Sequence, residues 1–600
     1  MKYDLVCMGR AALDLYGEQI GARLEDQTSF AKYLGGCPAN IAVGSSRLGL
    51  RVAMLTRVGD EHNGRFVRET LAAEGVDVSR VATDPKRLTA LVFLSIKDRD
   101  TFPLVFYRHD CADMAVNAKD FDAAFIASAK ALLISGTHFS QPNAAAACFQ
   151  AIKHAKKFVF DIDYRPVLWG LTSPGMGEQR FVASKHVTQK LQEVMPYADL
   201  VIGTEEEFHI AAGCEDTGEA LQRIQKISQA ILVVKRGPLG CTVHHGGKTI
   251  TAQGFPVEVF NILGAGDGFA AGFLSGWLRG MPLEECARRA NACGALVVSR
   301  HGCAPAMPSG AELELFLSRT DWPFRLRESP LLDEIHRKTT GRRAWPEVLV
   351  LAFDHRKQLE ELGPPDRIAA FKKLIAKALK QLPGAGAIVD DRYGEEALFA
   401  LSGSGMWLAR PVEVPGSRPL EFEAGANLAA TLRAWPAEHV VKCLSLSPAD
   451  DLPRLKLLHD ACIATGRELL IELVTQDPPL EAIYAAGIRP DWWKLLPPER
   501  EEAWISIENA IQKHDPHCRG VLLLGMEASE NQLERSFAAA ARHPVCKGFA
   551  VGRSIFMHAA RQWFSGKCSD EAVIAEVTKN YSGLVATWRK ARQACNESVS

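Results

Sequence analysis

NILGAGDGFAAGF, residues 261–273, decides how the first half of the chain is read. An apolar run enters the flexible Gly264-Ala265-Gly266, a single carboxylate, Asp267, follows, and a helical pattern begins. Glycines let backbone N–H groups turn toward an anion, and a helix N-terminus adds a favourable dipole. Phosphoryl transfer needs such donors around the moving charge and a base for the attacking hydroxyl, which Asp267 could supply. The same four residues would serve equally as a glycine turn with Asp267 capping the helix.

The surroundings bear on that choice. Before this stretch, β-like runs (DLVCMG, VAMLTRVG, ALLISG, KFVFDID, ADLVIGT, ILVVKRG) alternate with helical patterns, as expected of an α/β sheet with helices on its faces. Asp14 closes the first strand region. Gly35-Gly36 with Asn40 forms a second glycine pair. Asp161-Ile162-Asp163-Tyr164-Arg165 ends a strand, where parallel sheets hold ligands. Thr204-Glu205-Glu206-Glu207 and Lys235-Arg236-Gly237-Pro238-Leu239-Gly240 follow two further strands.

In this order these segments resemble the ribokinase-like (PfkB) carbohydrate kinases over about residues 1 to 315, with GAGD the most specific part. The resemblance implies an α/β sandwich with a small β lid, and ATP-dependent phosphorylation of a sugar-like hydroxyl. Asp267 would be the base and Gly264, Ala265 and Gly266 the anion hole. Asp14, Gly35, Gly36 and Asn40 match sugar-binding positions. Thr204, Glu207, Lys235, Gly237 and Gly240 match the nucleotide side. Mg²⁺ would arrive with ATP, with Glu207 reaching it through water rather than as a direct ligand. Asn261 and Thr204 stand where the family usually has Asp and Asn, which leaves the use of a monovalent cation open. GRAALDLYGEQIG, FAKYLGGCPANIAVGSSRLGL and FPLVFYRHDCADMA resemble the subgroup acting on 5-dehydro-2-deoxy-D-gluconate in myo-inositol breakdown. An acid wants a cation, and Arg108 and Arg165 are the candidates, each of which could instead form a salt bridge.

After residue 320 the rhythm changes. The Arg-rich stretch 321–344 reads as a linker between a domain at 1–320 and one at 345–600. Eight β-like runs then follow: VLVLAFD (348–354), GAIVDD (386–391), WLARPVE (407–413), VVKCLSL (440–446), ELLIELV (468–474), WWKLLPP (about 491–497), GVLLLG (520–525) and GFAVGRS (548–554). Helical patterns such as DRIAAFKKLIAKALKQL separate most of them, which fits a (β/α)8 barrel with chemistry at the C-terminal strand ends. Charges fall near those ends: Asp354, Asp390, Asp391, Arg410, Lys442, Glu472, Lys494 and Arg553.

A charge inside an apolar strand needs a partner or a function. Lys494 is the sharpest case. Desolvation, or a second cation such as Lys442, would leave a nucleophilic amine able to form a Schiff base with a ketone, with Glu472 moving protons. A buried Lys–Glu pair holding the barrel together is the equal alternative. AFDHR (352–356), VVKC, LLIELV and WWKL resemble class I tagatose-bisphosphate aldolases. That resemblance implies Lys494 as the imine lysine, Glu472 as the acid–base group, Lys442 as an auxiliary lysine and Asp354 on the first strand, with His355 in place of the usual Gln. Gly525, Gly552, Arg553 and Ser554 fit the common barrel phosphate site. The strands hold almost no His ligands, so no metal is expected in this half.

The two resemblances imply a kinase whose product, a phosphorylated 5-ketone, is the substrate of an aldolase yielding dihydroxyacetone phosphate and malonate semialdehyde. The rival reading is a kinase alone, with the barrel a non-catalytic sugar-phosphate-binding module. Composition agrees with an enzyme of small molecules: 47% hydrophobic, 24% charged and a net charge of −1, with no basic excess for nucleic acid and no apolar run long enough for a bilayer. Fifteen cysteines without a CxxC suit reduced thiols in the cytoplasm. A homo-oligomer is expected by analogy with ribokinase-like enzymes.

Overall fold

In the computed structural model the chain forms two compact units, Met1–Arg343 and Ala344–Ser600. The structure describes every residue except Arg342, Glu499, Met526, Glu527 and Ser600, and only the backbone at 596, 598 and 599.

The strands of the first unit are β1 (Tyr3–Met8), β2 (Ala12–Gly17), β3 (Phe30–Gly35), β4 (Val52–Gly59), β5 (Asp77–Asp84), β6 (Leu91–Leu94), β7 (Leu104–Tyr107), β8 (Ala129–Ser135), β9 (Phe158–Asp161), β10 (Leu200–Thr204), β11 (Ile231–Lys235), β12 (Cys241–His245) and β13 (Lys248–Ala252). A nine-stranded sheet runs β13-β12-β11-β10-β9-β8-β1-β4-β5. It is parallel from β11 to β5, with β12 and β13 antiparallel at one edge. Continuous apolar runs suit strands covered on both faces: Val6 and Met8 enter one helix-covered core, Leu5 and Cys7 the other.

The lid is a four-stranded sheet, β3-β2-β6-β7, whose Tyr16, Val92, Leu94 and Phe106 share a small core with Leu168, Leu263 and Cys303. Asp14 belongs to this lid, on β2, and not to the first strand. Gly9, at φ 146°, and the small Ala11 and Ala12 let the chain leave β1 and enter β2 within a few residues.

The helix Ala265–Trp277 is the strut under the glycine turn. Its glycines 268, 272 and 276 lie one turn apart, on one face. A Cβ on Gly272 would stand 2.8 Å from Arg289 O and 2.9 Å from Ala290 Cα, so the helix Leu283–Val298 packs against bare backbone. Residues 321–344, expected as a linker, are partly a helix, Pro330–Thr339, capped by Ser329 and folded onto the first unit. His336 bridges Glu312 Oε2 at 2.8 Å and Pro305 O at 2.9 Å, and Leu332 is buried. An amphipathic turn with a proper cap was hidden there among the arginines.

The second unit is a closed parallel barrel of β14 (Val348–Ala352), β15 (Ala385–Ile388), β16 (Trp407–Pro411), β17 (His439–Ser445), β18 (Leu469–Leu473), β19 (Trp492–Leu495), β20 (Gly520–Leu524) and β21 (Cys546–Val551), with β14 pairing β21. Every expected run is a strand, the sixth beginning at Trp492. Val350, Ala409, Val440, Leu470, Trp492 and Leu522 fill the interior, while alternate residues such as Val441, Ile471 and Trp493 face the helices. Side chains alternate along a strand, so the inward series continues upward to Lys442, Glu472 and Lys494 and, just beyond their strands, to Asp354 and Glu413. Among the described residues no helix is long and apolar enough to cross a membrane.

Candidate active sites

Two helix N-termini open onto one cavity of about 380 Å³ in the first unit. One helix, Cys37–Arg47, starts from Gly36; the other starts from Gly264. Gly264 has φ 85°, and a Cβ there would stand 2.9 Å from the Cys303 Cβ, so no other residue fits this turn. Asp267, in the first turn of its helix, accepts a hydrogen bond from Asn40 Nδ2 at 2.7 Å. Asn40 thereby joins the two termini across the cavity. Asp14, Arg165, Lys235, Gly237 and Gly240 line it as well. Gly35 stands directly behind Asp14: a Cβ there would overlap the Asp14 carboxyl at 2.1 Å.

Several buried polar atoms of residues lining this cavity have no hydrogen-bond partner among the described residues: Arg10 Nε, Asp14 Oδ1, Asn40 Oδ1 and Arg165 Nη1. Unpaired buried polar groups are costly unless a ligand satisfies them. The charges are shifted accordingly. Burial, reinforced by the Asp163 carboxylate, pushes Asp267 up to about 6. Burial likewise raises Asp14 to about 6 against the pull of Arg10, and raises Asp161 to about 7 although Lys235 opposes it. Lys235 is raised, since Asp161 and Glu207, at 3.5 and 3.8 Å, outweigh its burial.

The carboxylates of Asp161, Glu207 and Asp267 act on Lys235, and Asp163 adds its charge to Asp161 and Asp267, an acidic set that fits a hard divalent cation. Cys37 Sγ, Asp161 and Asp267 hold ligand atoms within 4.8 Å of one another; the thiol spends itself as a donor to Asp161 Oδ2 at 3.0 Å. Thr204 and Glu207 form a capping box on the helix Glu205–Ala212, and Glu207 also accepts from Tyr164 N at 3.1 Å. Asn261 is fully buried. Its amide nitrogen is 3.3 to 3.4 Å from the carbonyls of Leu263, Arg300 and Gly302, and its Oδ1 accepts from Leu263 N at 3.0 Å. It braces the turn against the backbone at residues 300 and 302. Arg108 is not among the residues lining the cavity: both Nε and Nη2 lie 2.8 Å from Asp113 Oδ2, and the pair is buried. An arginine just past the end of a strand looks free in sequence; here a carboxylate five residues on captures it.

The barrel cavity, about 310 Å³, lies at the C-terminal strand ends. Register sets its centre, because Glu472 stands opposite Lys494 on the neighbouring strand. Glu472 Oε1 is 3.1 Å from Lys494 Nζ, and Oε2 is 3.0 Å from Lys442 Nζ. Lys442 also meets Glu413 at 2.7 Å and Asp354 at 3.2 Å. Burial disfavours its charge, but Glu413, Glu472 and Asp354 raise it well above the usual lysine range, so it stays an ammonium. Burial works against the Glu472 anion too, and the two lysines overcome it and keep its carboxyl low. His355 is pulled down to about 4, first by burial, and stays neutral. Gly525, Gly552, Arg553 and Ser554 line the same cavity, with Arg553 opening the helix Arg553–Phe564. A Cβ on Gly552 would meet Ala352 O at 2.1 Å.

Arg410 and Asp390 do not take part. Arg410 has the outward parity, pairs with Asp391 and stacks 3.9 Å over Trp435. Asp390 is tied to the buried Lys372 and caps the next helix. Sequence reasoning missed Glu413, two places beyond Pro411 on the inward side. It also missed Arg356, which donates to Glu413 O at 3.3 Å and pairs with Glu423. In the first unit it passed over Arg10, Cys37 and Arg180. The inward parity would have found Glu413; no local signal marks the others.

A model of the pfkB family of carbohydrate kinases matches residues 2–310. Residues 312–592 match a family described as an uncharacterized protein conserved in bacteria, DUF2090. The chain is similar to the 5-dehydro-2-deoxygluconokinase of Halalkalibacterium halodurans, 32% identical over 329 residues, 53% of this chain and 96% of that protein. It is similar to that of Geobacillus thermodenitrificans, 33% identical over 324 residues, 52% and 93%. Among solved structures, fructokinase from Vibrio cholerae O395 with fructose, ADP and calcium ion is 26% identical, covering 53% of this chain and 99% of that chain, TM-score 0.46.

Proposed function

The chain belongs to the pfkB family of carbohydrate kinases, and on that premise we propose that it phosphorylates 5-dehydro-2-deoxy-D-gluconate with ATP and then cleaves the 6-phospho product. For the kinase, the observation that carries the reading is the Asn40–Asp267 bond of 2.7 Å beside the Gly264 turn. The sugar hydroxyl gives its proton to Asp267, its oxygen bonds to the terminal phosphorus, and the bond from that phosphorus to ADP breaks. The N–H groups of residues 264–266 and the Lys235 ammonium offset the charge. Asp14 and Asn40 present unpaired acceptors to sugar hydroxyls, and Arg165 is the candidate for the acid's carboxylate. A Mg²⁺ ion carried by ATP, held by Asp161 and Glu207 among the acidic groups, would supply charge neutralisation at the phosphates.

For the barrel, the carrying observation is Glu472 shared between two lysines. Glu472 takes a proton from Lys494, whose amine attacks the C5 ketone and expels water as an imine forms. Glu472 returns that proton to the departing water, then takes the C3 hydroxyl proton as the C3–C4 bond breaks and the electron pair is held as an enamine. Protonation at C4 and hydrolysis release dihydroxyacetone phosphate; malonate semialdehyde leaves first. The glycines and Arg553 hold the phosphate, and Lys442 remains charged to keep Glu472 ionised.

The test is product analysis by NMR after incubating the protein with Mg-ATP and the acid. Dihydroxyacetone phosphate and malonate semialdehyde are the expected products. Accumulation of the phosphorylated acid alone would sink the aldolase reading, and an untouched acid the choice of substrate. A pH profile adds a second check. Asp267 acts as a base only when ionised, and its pKa lies at about 6. Phosphorylation therefore falls as pH drops through about 6, roughly tenfold per unit below it, and stays level above. A profile flat down to pH 5 would rule Asp267 out as the base.

A further inference from the structure

The kinase cavity holds more positive charge than this mechanism uses. Arg165 and Arg180 both line it. Arg165 Nη1 is buried without a partner, and its ion pair with Asp163 is long, 3.8 Å. Arg180 makes no hydrogen bond or ion pair with a described residue. The neighbouring Arg165 cation, together with burial, pulls Arg180 down to about 9. Asp163 and Glu207 attract Arg180 without pairing with it, so on balance the two guanidinium groups still repel one another, and an anion placed between them removes that cost.

The chain around Arg180 is built to hold it there. The segment 170–184 is irregular, joining the turn Pro166–Trp169 to the helix Lys185–Val194. Gly177 is buried against the lid, where a Cβ would meet Leu104 O at 2.5 Å. Tyr164 OH donates to Val182 O at 2.5 Å and ties the far end to the body. Between these anchors Phe181 has φ 62°. A left-handed conformation at a bulky residue is strained and persists only where the surroundings impose it. Here it turns the backbone immediately after Arg180.

We propose that Arg165 and Arg180 together bind one oxyanion group during phosphoryl transfer, Arg180 reaching in from the loop that bridges lid and body. This rests on the kinase reading. The shared chemistry is an oxyanion, and it has two sources in the reaction: the carboxylate of the acceptor acid or the terminal phosphoryl group of ATP.

The test compares wild type with Arg180→Gln and Arg180→Lys. KM for 5-dehydro-2-deoxy-D-gluconate, kcat, and the affinity for the non-hydrolysable adenosine 5′-(β,γ-methylene)triphosphate are measured, with melting temperature as a control on folding. Losing a charge-assisted bidentate contact costs about tenfold or more. A rise of that size in KM for the acid, with analogue affinity unchanged, assigns the pair to the carboxylate. Weaker analogue binding, or a lower kcat at unchanged KM for the acid, assigns it to the phosphoryl group. Arg180→Lys should fall between the two, since an ammonium lacks the fork. All three quantities within twofold of wild type, in a folded Arg180→Gln protein, overturn the proposal. If Arg180→Gln does not fold, unchanged kinetics in Arg180→Lys overturn it instead. If the wild-type enzyme ignores this acid, the substrate assignment fails separately. The analogue arm then decides, and undiminished affinity in Arg180→Gln counts against the pair.

Discussion

Replacing Asp267 by asparagine is expected to lower kcat for phosphorylation by about three orders of magnitude, the usual worth of a positioned general base. The change is nearly isosteric, and the Asn40 amide can still donate to the new side-chain oxygen in place of its present 2.7 Å bond to Asp267. KM values should therefore move little. Stability should move the other way. The carboxyl is raised from 3.8 to about 6 in the fold. A raised acid opposes folding wherever it is ionised: the cost is absent below about pH 4, grows as pH rises between the two values, and is complete above about 6. Two units correspond to on the order of 3 kcal/mol. Asp267→Asn should thus melt higher than wild type at pH 8 and alike at pH 4. A variant that keeps more than a tenth of the activity would remove Asp267 from the chemistry. Loss of activity together with a lower melting temperature at pH 8 would point to a structural role instead.

Lys494→Met is expected to abolish cleavage of the 6-phospho acid, by at least about four orders of magnitude, because a covalent route has no substitute for its nucleophile. Borohydride reduction in the presence of dihydroxyacetone phosphate should fix a mass adduct on a peptide containing Lys494 in wild type and none in the variant. Phosphorylation should be unchanged. Methionine keeps most of the buried stem, and Glu472 retains Lys442 at 3.0 Å, so the barrel should stay folded. Lys442→Met is the contrasting variant. It leaves Asp354, Glu413 and Glu472 together without their shared cation, and breaking a buried pair costs about 3 to 5 kcal/mol. It should lose stability as well as activity. An adduct that survives in Lys494→Met would refute the assignment. Wild type that neither cleaves nor traps would return the barrel to a binding role.

Much of this was legible in one dimension because it depends on local chemistry. Every barrel strand announced itself as an apolar run of strand length between helical patterns. The turn before Asp267 could be read from glycine alone, since only residue 264 without a Cβ can take φ 85° against Cys303. Lys442, Glu472 and Lys494 stood out as charges in apolar strands, and their alternation put them on one side. The Pro330–Thr339 helix escaped notice because its apolar positions are few and arginines surround it.

What only the folded chain decided is which charged side chains meet. Arg108 and Arg165 looked alike beside their strands, yet Asp113 neutralises one and the other enters the cavity with a bare Nη1. Arg180, in a segment without pattern, arrives beside it because Gly177 and Val182 are pinned to opposite walls. Glu413 became the strongest partner of Lys442 through the register of neighbouring strands. Periodicity and backbone freedom are properties of a few consecutive residues, so sequence carries them. Charge pairing acts across a few ångströms between residues tens of positions apart, and only tertiary packing sets that distance.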